Sequence, residues 1–388
     1  MTMRVALDSL LNTAVKTGDV PGVVGMVTDR QNTIYEAAFG QRTLGQDAAM
    51  TTDTVGLIAS MTKAITSTAA MQLVEQGKLD LDSPAAKWLS ELGTVQVLEG
   101  FDAAGAPRTR APKRPITLRH LLTHTSGFGY EFLSTAVQQY QKARNVPGIF
   151  SCELAALKLP LLFDPGERWE YGISLDWAGK VVEAASGQTL GDYLKKNVLG
   201  PLGMSDTAFR MTASMRSRLA KIHARLEDGT LVPIDMELPE QPGFDMGGGG
   251  LYGTLGDYLK FVRMVLNRGD SPGGRILKAE TVDAMSRNNI GALDVQPVRS
   301  ADRTLTNDFL LPPDNPHKWG LAWIINTKPL PTGRPAGALM WAGLTNCYYW
   351  IDPASGIGGA LLTQILPFAD VKALPLFLNF EYQVYANR

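Results

Sequence analysis

The sequence predicts an α/β (α+β) fold, in which a central antiparallel sheet is flanked by helices and joined to a mostly helical subdomain. Two strand-like segments within residues 22–40 are separated by a polar turn, which predicts an antiparallel hairpin. Four more strand-like segments lie within residues 319–364, ahead of a last helix predicted for residues 371–385. The stretch between them, to about Gly203, has mainly helical periodicity.

The two ends of the chain are therefore expected to build one α/β half together. A chain of 388 residues is too long for a single small core, which favours two subdomains. We expect residues 1–78 and 245–388 to form the α/β half, and residues 79–244 to form an inserted, mostly helical subdomain. The active site is expected in the cleft between them.

The individual elements follow from local patterns. Apolar spacing predicts an amphipathic helix at Met1–Val15, and Gly-, Pro- and Arg-rich composition predicts an exposed loop at Gly100–Pro115. A long polar stretch, Asn288–Lys318, predicts a loop near a pocket. Further helices are predicted at Ala85–Leu92, Ile116–Leu122 (capped by Thr117), Trp177–Ala185, Leu190–Val198, Thr254–Asn267 and Leu277–Arg287, and strands at Gly22–Thr28, Thr33–Gly40, Trp319–Thr327, Gly337–Trp341, Tyr348–Ile351 and Gly359–Gln364.

Composition and charge exclude several classes of partner. The net charge is −1 without a long basic run, so we expect neither a nucleic-acid nor a membrane partner. The four histidines lack metal-ligand spacing, and the two cysteines read as free thiols of a reducing compartment. With no signal peptide visible, the expected location is cytoplasmic. No metal or organic cofactor is implied, and the oligomeric state stays open.

The segment around Ser60 carries the main chemical signal. If a helix begins at Ser60, Lys63 lies three residues on and faces the same way. Backbone N–H groups at the helix N-terminus lack intrahelical partners and suit a developing oxyanion. A nucleophile, an amine and anion-stabilising donors would thus share one turn. The alternative is that Ser60 merely caps the helix and Lys63 is solvated.

Two further segments offer candidate site residues. Tyr171 follows an Asp-Pro-Gly turn and precedes a helix, where its phenol could project into a cleft, although a core tyrosine is the commoner case. Trp341-Ala342-Gly343 ends a predicted strand in small residues, and Trp341 could equally be core. We interpret His124 as a structural hydrogen-bonding residue rather than a base.

The sequence lacks the pentapeptide of serine–histidine–acid hydrolases and the phosphate loop of nucleotide-binding proteins. No Gly-x-Ser-x-Gly pentapeptide occurs, as a serine–histidine–acid hydrolase would most recognisably carry. The four glycines Gly247–Gly250 lack the Lys-Ser/Thr of a phosphate loop, so close backbone approach beside the cleft is the better interpretation.

Together the motifs resemble the serine β-lactamase and penicillin-binding-protein superfamily. More closely they are similar to family VIII carboxylesterases and to the fungal statin-side-chain acyltransferases, and the β-lactamase-like fold is implied by that resemblance. Residues 97–102 and 175–180 look especially like the acyltransferase branch. In chain order the matching segments are Ser60-Met61-Thr62-Lys63, Leu121–Gly127, Asp164-Pro165-Gly166 leading to Tyr171, and Trp341-Ala342-Gly343.

The resemblance implies roles for particular residues. Ser60 is the acyl-accepting nucleophile, and Lys63 and Tyr171 share the proton transfers. The backbone N–H groups of Ser60 and Leu344 form the oxyanion hole. Tyr130, Trp341, Ala342 and Gly343 bind substrate. Tyr130, Phe128, Trp319, Trp323 and Trp341 could line an apolar acyl pocket or be core.

Two departures from penicillin-recognising relatives bear on the substrate. Those relatives usually carry Lys-Thr-Gly where this chain has Trp341-Ala342-Gly343, and asparagine where it has Ile173. Both changes favour an uncharged ester. The resulting expectation is a serine hydrolase of the carboxylesterase type, acting on short- or medium-chain acyl esters with weak cephalosporin hydrolysis. The alternatives are an acyltransferase that uses an alcohol acceptor, and a β-lactamase or penicillin-binding protein.

Overall fold

The computed structural model describes residues 2–388, so Met1 of the predicted first helix lies outside the described part. Its strands are β1 (Gly22–Asp29), β2 (Thr33–Gly40), β3 (Gly56–Leu57), β4 (Val97–Phe101), β5 (Pro107–Arg110), β6 (His223–Arg225), β7 (Leu231–Pro233), β8 (Tyr252–Gly253), β9 (His317–Trp319), β10 (Ile324–Asn326), β11 (Leu339–Gly343), β12 (Cys347–Asp352), β13 (Ile357–Leu362) and β14 (Ile365–Leu366).

The helices are α1 (Met3–Lys16), α2 (Thr62–Glu75), α3 (Leu118–Leu122), α4 (Thr135–Arg144), α5 (Ser174–Ser186), α6 (Leu190–Leu194), α7 (Gly200–Leu202), α8 (Ala213–Ser217), α9 (Leu255–Leu266), α10 (Ala279–Met285) and α11 (Ala373–Ala386). Six of the helices, α3 to α8, follow one another between β5 and β6, and the others are spread along the chain. Short 3₁₀ turns occur at Ala59–Met61, Ala85–Lys87, Ser90–Gly93, Ile149–Ser151 and Leu154–Leu157, and a π turn at Lys195–Leu199. In residues 2–388 no helix is long and apolar enough to cross a membrane.

The central sheet has seven strands in the order β2-β1-β13-β12-β11-β10-β9, and its neighbours are antiparallel. Strand β1 from the N-terminal part pairs with β13 from the C-terminal part, with Met26 opposite Ala360. The predicted antiparallel sheet built from both chain ends is therefore confirmed. The β1–β2 hairpin is also where the sequence placed it.

Successive side chains of a strand point to opposite faces of the sheet. Strands β12 and β13 are buried along their whole length, and helices cover the sheet on both faces. On β12, the Tyr348 ring stacks on Phe377 of α11 with centroids 4.7 Å apart. The next residue, Tyr349, faces the other way, and its ring centroid lies 4.9 Å from that of Tyr258 on α9. Helix α2 lies on the α9 side of the sheet and is buried from Thr62 to Leu73. The 3₁₀ turn that precedes α2 lies against the end of β11, where Gly343 approaches Ile58 and Ala59.

Two local predictions were wrong. The predicted loop Gly100–Pro115 contains much of the β4–β5 hairpin. The Asp102 N–H donates to the Ala106 carbonyl over 2.9 Å and closes the turn of this hairpin. The predicted strand Trp319–Thr327 is two strands, since Gly320 N–H donates to the Trp323 carbonyl over 2.8 Å and turns the chain between β9 and β10.

The predicted insert, residues 79–244, holds short strands besides its helices. Strands β4 to β7 lie within it, and β6 pairs in parallel with β14 from the C-terminal part, with His223 opposite Ile365. The division into two subdomains with boundaries near residues 78 and 245 stays a prediction.

Candidate active site

Ser60 lies in a strained turn between β3 and α2. Ala59 has φ +43°, a left-handed conformation that a residue with a Cβ adopts only at a cost. The 3₁₀ turn Ala59–Met61 then leads into α2, which ends at Glu75. No side chain caps the N-terminus of the 3₁₀ turn or that of α2, so the Ser60 hydroxyl does not act as a cap. It is bound by Lys63 instead.

Lys63 is the centre of the hydrogen-bond network. Its side chain is buried, at 1% exposure, and Nζ donates to the Ser60 Oγ (3.0 Å), the Tyr130 hydroxyl (3.0 Å) and the Gly248 carbonyl (2.6 Å). An ammonium has three donors, and these acceptors match them. Burial lowers the pKa of Lys63 to about 7, an effect that the Asp176 carboxylate opposes. A lysine with such a pKa can exchange a proton near neutrality.

Tyr171 lies beside Lys63, just before α5. Its ring centroid is 4.6 Å from the Lys63 Nζ, and its hydroxyl accepts a hydrogen bond from the Trp341 Nε1 over 3.0 Å. Burial raises the pKa of the Tyr171 phenol, while the Ser60 and Trp341 side chains oppose that rise. The predicted trio of Ser60, Lys63 and Tyr171 thus meets in one place.

The end of β11 borders the same turn. A Cβ on Gly343 would lie 2.4 Å from the Ile58 carbonyl oxygen, so only glycine permits this close approach. The following residue, Leu344, lines the same cleft as Ser60. Within residues 2–388 the Leu344 N–H has no hydrogen-bond acceptor. Both backbone groups predicted for an oxyanion hole therefore border one cleft.

The cleft above Ser60 is apolar. Tyr130, Trp341, Ala342 and Gly343 line it together with Leu344, and the substrate-binding role of the first four stays a prediction. Phe128, Trp319 and Trp323 are fully buried outside the lining. No lining side chain is charged. The remaining lining residues, most of which sequence reasoning missed, are Leu57, Ala59, Phe132, Leu133, Ile149, Phe150, Tyr171, Met246, Gly248, Gly249, Val298, Thr306, Phe309 and Phe368.

Sequence reasoning also missed Asp176, which lies on α5 five residues beyond Tyr171. Its carboxylate is fully buried, and Oδ1 accepts the Gly248 N–H over 2.8 Å. Burial raises its pKa, and Lys63 opposes the rise. The sequence offered one indication of this residue, a carboxylate between Leu175 and Trp177, five residues after Tyr171. The Gly247–Gly250 segment makes the predicted close backbone approach here.

His124 differs from its predicted role. Neither ring nitrogen has a hydrogen-bond partner within the described chain, and the ring packs instead against Tyr171 (centroids 4.7 Å apart) and Trp319 (5.2 Å). Burial holds the pKa of His124 well below its ordinary value, so the ring is neutral. Its backbone carbonyl accepts the Glu170 N–H over 2.8 Å, which anchors the loop that carries Tyr171.

Comparison with known proteins places this geometry in a family context. The Beta-lactamase family model matches residues 7–379. The monacolin J acid methylbutanoyltransferase of Aspergillus terreus is 33% identical over 399 aligned residues, which cover 99% of this chain and 96% of that protein. The lovastatin esterase of Penicillium rubens is 31% identical and covers 98% of both chains.

A solved structure has the same fold along its whole length. Unliganded simvastatin synthase from Aspergillus terreus superimposes with a TM-score of 0.85 at 32% identity, covering 98% of each chain. The chain is thus similar, end to end, to both acyltransferases and an esterase.

Proposed function

The chain belongs to the Beta-lactamase family, and we propose that it is a serine carboxylesterase that hydrolyses short- and medium-chain acyl esters through an acyl-enzyme on Ser60. Its acyltransferase and esterase relatives make it an enzyme of the serine acyl-transfer type. One observation carries the finer proposal: the Ser60 hydroxyl accepts a 3.0 Å hydrogen bond from a buried lysine in a cleft with no charged lining side chain. The narrower assignment to family VIII is part of the proposal.

In the first step, Lys63 takes the proton of the Ser60 hydroxyl while the oxygen attacks the ester carbonyl. Lys63 is the better base of the two candidates, because burial lowers its pKa and raises that of Tyr171. The oxyanion forms between the backbone N–H groups of Ser60 and Leu344. When the C–O bond to the alcohol breaks, Tyr171 relays the proton to the leaving oxygen and is reprotonated by Lys63.

In the second step, water attacks the acyl-enzyme and the same groups act again. Water gives a proton to the base, the oxyanion hole holds the new negative oxygen, and Ser60 recovers its proton as the acid leaves. The bonds formed and broken are the reverse of acylation, with water in place of the alcohol.

The lining of the cleft supports an uncharged substrate. A carboxylate buried there would have no cation beside it other than Lys63, whose three donors are occupied. At the position where penicillin-recognising relatives usually offer a lysine, this chain has Trp341, whose indole N–H is used by Tyr171. We therefore expect cephalosporin turnover to be weak beside ester turnover.

Acyl transfer to an alcohol is the second candidate. The observation that favours it is end-to-end similarity to a methylbutanoyltransferase. Hydrolysis and transfer share the acyl-enzyme and differ in whether water or an alcohol attacks it. Product analysis on a methylbutanoyl ester with a competing alcohol separates them: the free acid supports the esterase, and a new ester as the main product supports the transferase.

The testing experiment is a paired rate measurement. Wild type, Ser60→Ala and Ser67→Ala are assayed on p-nitrophenyl butyrate and on a chromogenic cephalosporin. Ser67 is a matched control, since it is a buried serine of α2, the helix that follows Ser60, and lies outside the cleft lining. Fast ester cleavage that is lost in Ser60→Ala alone supports the proposal. Dominant cephalosporin turnover would indicate a β-lactamase, a stable cephalosporin adduct a penicillin-binding protein, and an active Ser60→Ala a different nucleophile.

A further inference from the structure

Asp176 is a fully buried carboxylate with no salt-bridge partner within residues 2–388. Its Oδ1 accepts one backbone N–H, from Gly248, and its Oδ2 has no hydrogen-bond partner in that part of the chain. A buried charge of this kind is costly unless another charge compensates it. The cation that acts on it is Lys63.

Gly248 links the two charged groups. Its N–H donates to Asp176 over 2.8 Å, and its carbonyl accepts from the Lys63 Nζ over 2.6 Å. A Cβ at this position would lie 2.5 Å from the Asp176 Oδ2, so a side chain there would push the carboxylate away. The run Gly247–Gly250 therefore has a specific use, because it lets the backbone pass between the carboxylate and the amine.

We propose that Asp176 is a positioning residue for Lys63: it fixes the Gly248 carbonyl against the amine and supplies the negative charge that stabilises the lysine once it holds the Ser60 proton. This inference rests on the proposed function. The proton moves from the Ser60 Oγ to the Lys63 Nζ, and the charge pair of ammonium and carboxylate exists from the attack on the ester carbonyl until that proton passes on to the leaving alcohol.

The other groups around Lys63 do not supply that charge. The Tyr130 and Tyr171 phenols are buried with raised pKa values and stay neutral near pH 7, and the His124 ring is neutral. Glu131 raises the pKa of Asp176, whereas the carboxylate that raises the pKa of Lys63 is Asp176. Asp176 is thus the carboxylate on which the charge of Lys63 depends, and the groups that face this pair are Ser60, His124, Tyr130, Glu131, Cys152 and Tyr171.

The test compares pH profiles of kcat/KM on p-nitrophenyl butyrate for wild type, Asp176→Asn and Asp257→Asn. Asparagine keeps an acceptor for the Gly248 N–H and removes the charge. Lys63 then loses its proton more readily, so the acidic limb of the profile moves to lower pH by about one to two units, the size of shift that a nearby opposite charge causes. The plateau falls about tenfold, because a weaker base takes the Ser60 proton less well.

Asp257 is the matched control. It is a buried carboxylate that accepts the Asp206 N–H (2.8 Å) and contacts Lys260 (2.8 Å), away from the cleft. Asp257→Asn is expected to lower stability and leave the acidic limb in place. An acidic limb in folded Asp176→Asn that coincides with the wild-type limb would overturn the inference. If Asp176→Asn does not fold, the acidic limb is measured in Asp176→Ser, whose side chain is smaller and also uncharged, with the same expected shift.

A measurement on the wild type needs no folded variant. The ¹³Cε signal of Lys63, assigned with Lys63→Arg, is expected to show two inflections with pH, because interacting groups titrate as a pair. A single inflection would contradict the coupling to Asp176. These outcomes are distinct from failure of the proposed function, which would appear as no loss of ester cleavage in Ser60→Ala.

Discussion

The Trp341 indole Nε1 donates a 3.0 Å hydrogen bond to the Tyr171 hydroxyl, and the two ring centroids lie 5.0 Å apart. Strand β11 thereby presents a neutral donor to the catalytic tyrosine of the proposed mechanism. A donor to the phenol oxygen stabilises the phenolate more than the phenol and so eases proton relay through Tyr171. It also ties the sheet directly to the loop that precedes α5.

Replacing this donor while keeping the aromatic volume should slow the reaction. For Trp341→Phe we expect kcat on p-nitrophenyl butyrate to fall about fivefold with little change in KM, since a hydrogen bond contributes about 1 kcal/mol. Steady-state kinetics measures this. Trp323→Phe is the control, because the Trp323 Nε1 is buried without a partner in residues 2–388 and the ring lies outside the cleft lining. A smaller effect in Trp341→Phe than in Trp323→Phe would contradict the role of the donor.

The pH dependence of ester cleavage should report Lys63. The reaction needs the neutral amine, so kcat/KM is high above the pKa of Lys63, about 7, and falls as the pH drops through that value and the amine becomes protonated. An ordinary lysine would place the same limb near pH 10. Rates on a neutral ester from pH 5 to 10 measure the limb. A limb near pH 10 would mean that burial does not tune this amine.

A buried ion pair outside the site should dominate local stability. Arg334 and Glu381 are 3% and 0% exposed, and the guanidinium binds the carboxylate at two points, 2.5 and 2.8 Å. Glu381→Gln leaves the arginine charge buried without a partner, so we expect the free energy of unfolding to fall by about 3–5 kcal/mol.

Chemical denaturation measures that loss. The control is Asp283→Asn, which breaks the ion pair with Arg268. In that pair the Arg268 side chain is 60% exposed and the Asp283 side chain 54%. An exposed pair contributes less than about 1 kcal/mol. Equal losses in the two variants would show that the burial of Arg334 has no energetic consequence.

The sequence was sufficient to predict the parts of the site that local geometry determines. Ser60 and Lys63 are three residues apart on one helical turn, so their contact follows from helix periodicity alone. The β1–β2 hairpin was equally local, since a four-residue polar turn separates two strand-like runs. The antiparallel sheet followed because strand patterns occur at both chain ends.

Contacts between distant segments could not be predicted in this way. The Asp176–Gly248 bond joins residues 72 positions apart, and nothing in the glycine run or in the segment around Asp176 indicates that the two meet. The β4–β5 hairpin was missed because its Pro- and Arg-rich composition is typical of loops, whereas the turn at Asp102 is stabilised by hydrogen bonds that composition does not report. His124 lies in one of the segments that carry the family resemblance, but nothing in that segment indicates that its ring packs against Trp169, Tyr171 and Trp319 in space.

The far wall of the cleft should set the preferred acyl length. Phe309 lines the cleft, and its ring centroid lies 5.8 Å from that of Phe368. Two backbone hydrogen bonds with Val298 (2.9 and 3.0 Å) hold the Phe309 segment, so Phe309→Ala keeps the loop and removes only the ring. The space gained can take additional methylene groups, each contributing about 0.8 kcal/mol when buried.

We therefore expect the ratio of kcat/KM for p-nitrophenyl octanoate over the butyrate to rise about tenfold in Phe309→Ala, an effect of about 1.4 kcal/mol. Phe163→Ala is the control, because Phe163 is buried and does not line the cleft. Its ratio should stay at the wild-type value even if its stability falls, since loss of folded enzyme affects both substrates equally. A ratio in Phe309→Ala no higher than in Phe163→Ala would show that the acyl chain does not extend towards Phe309.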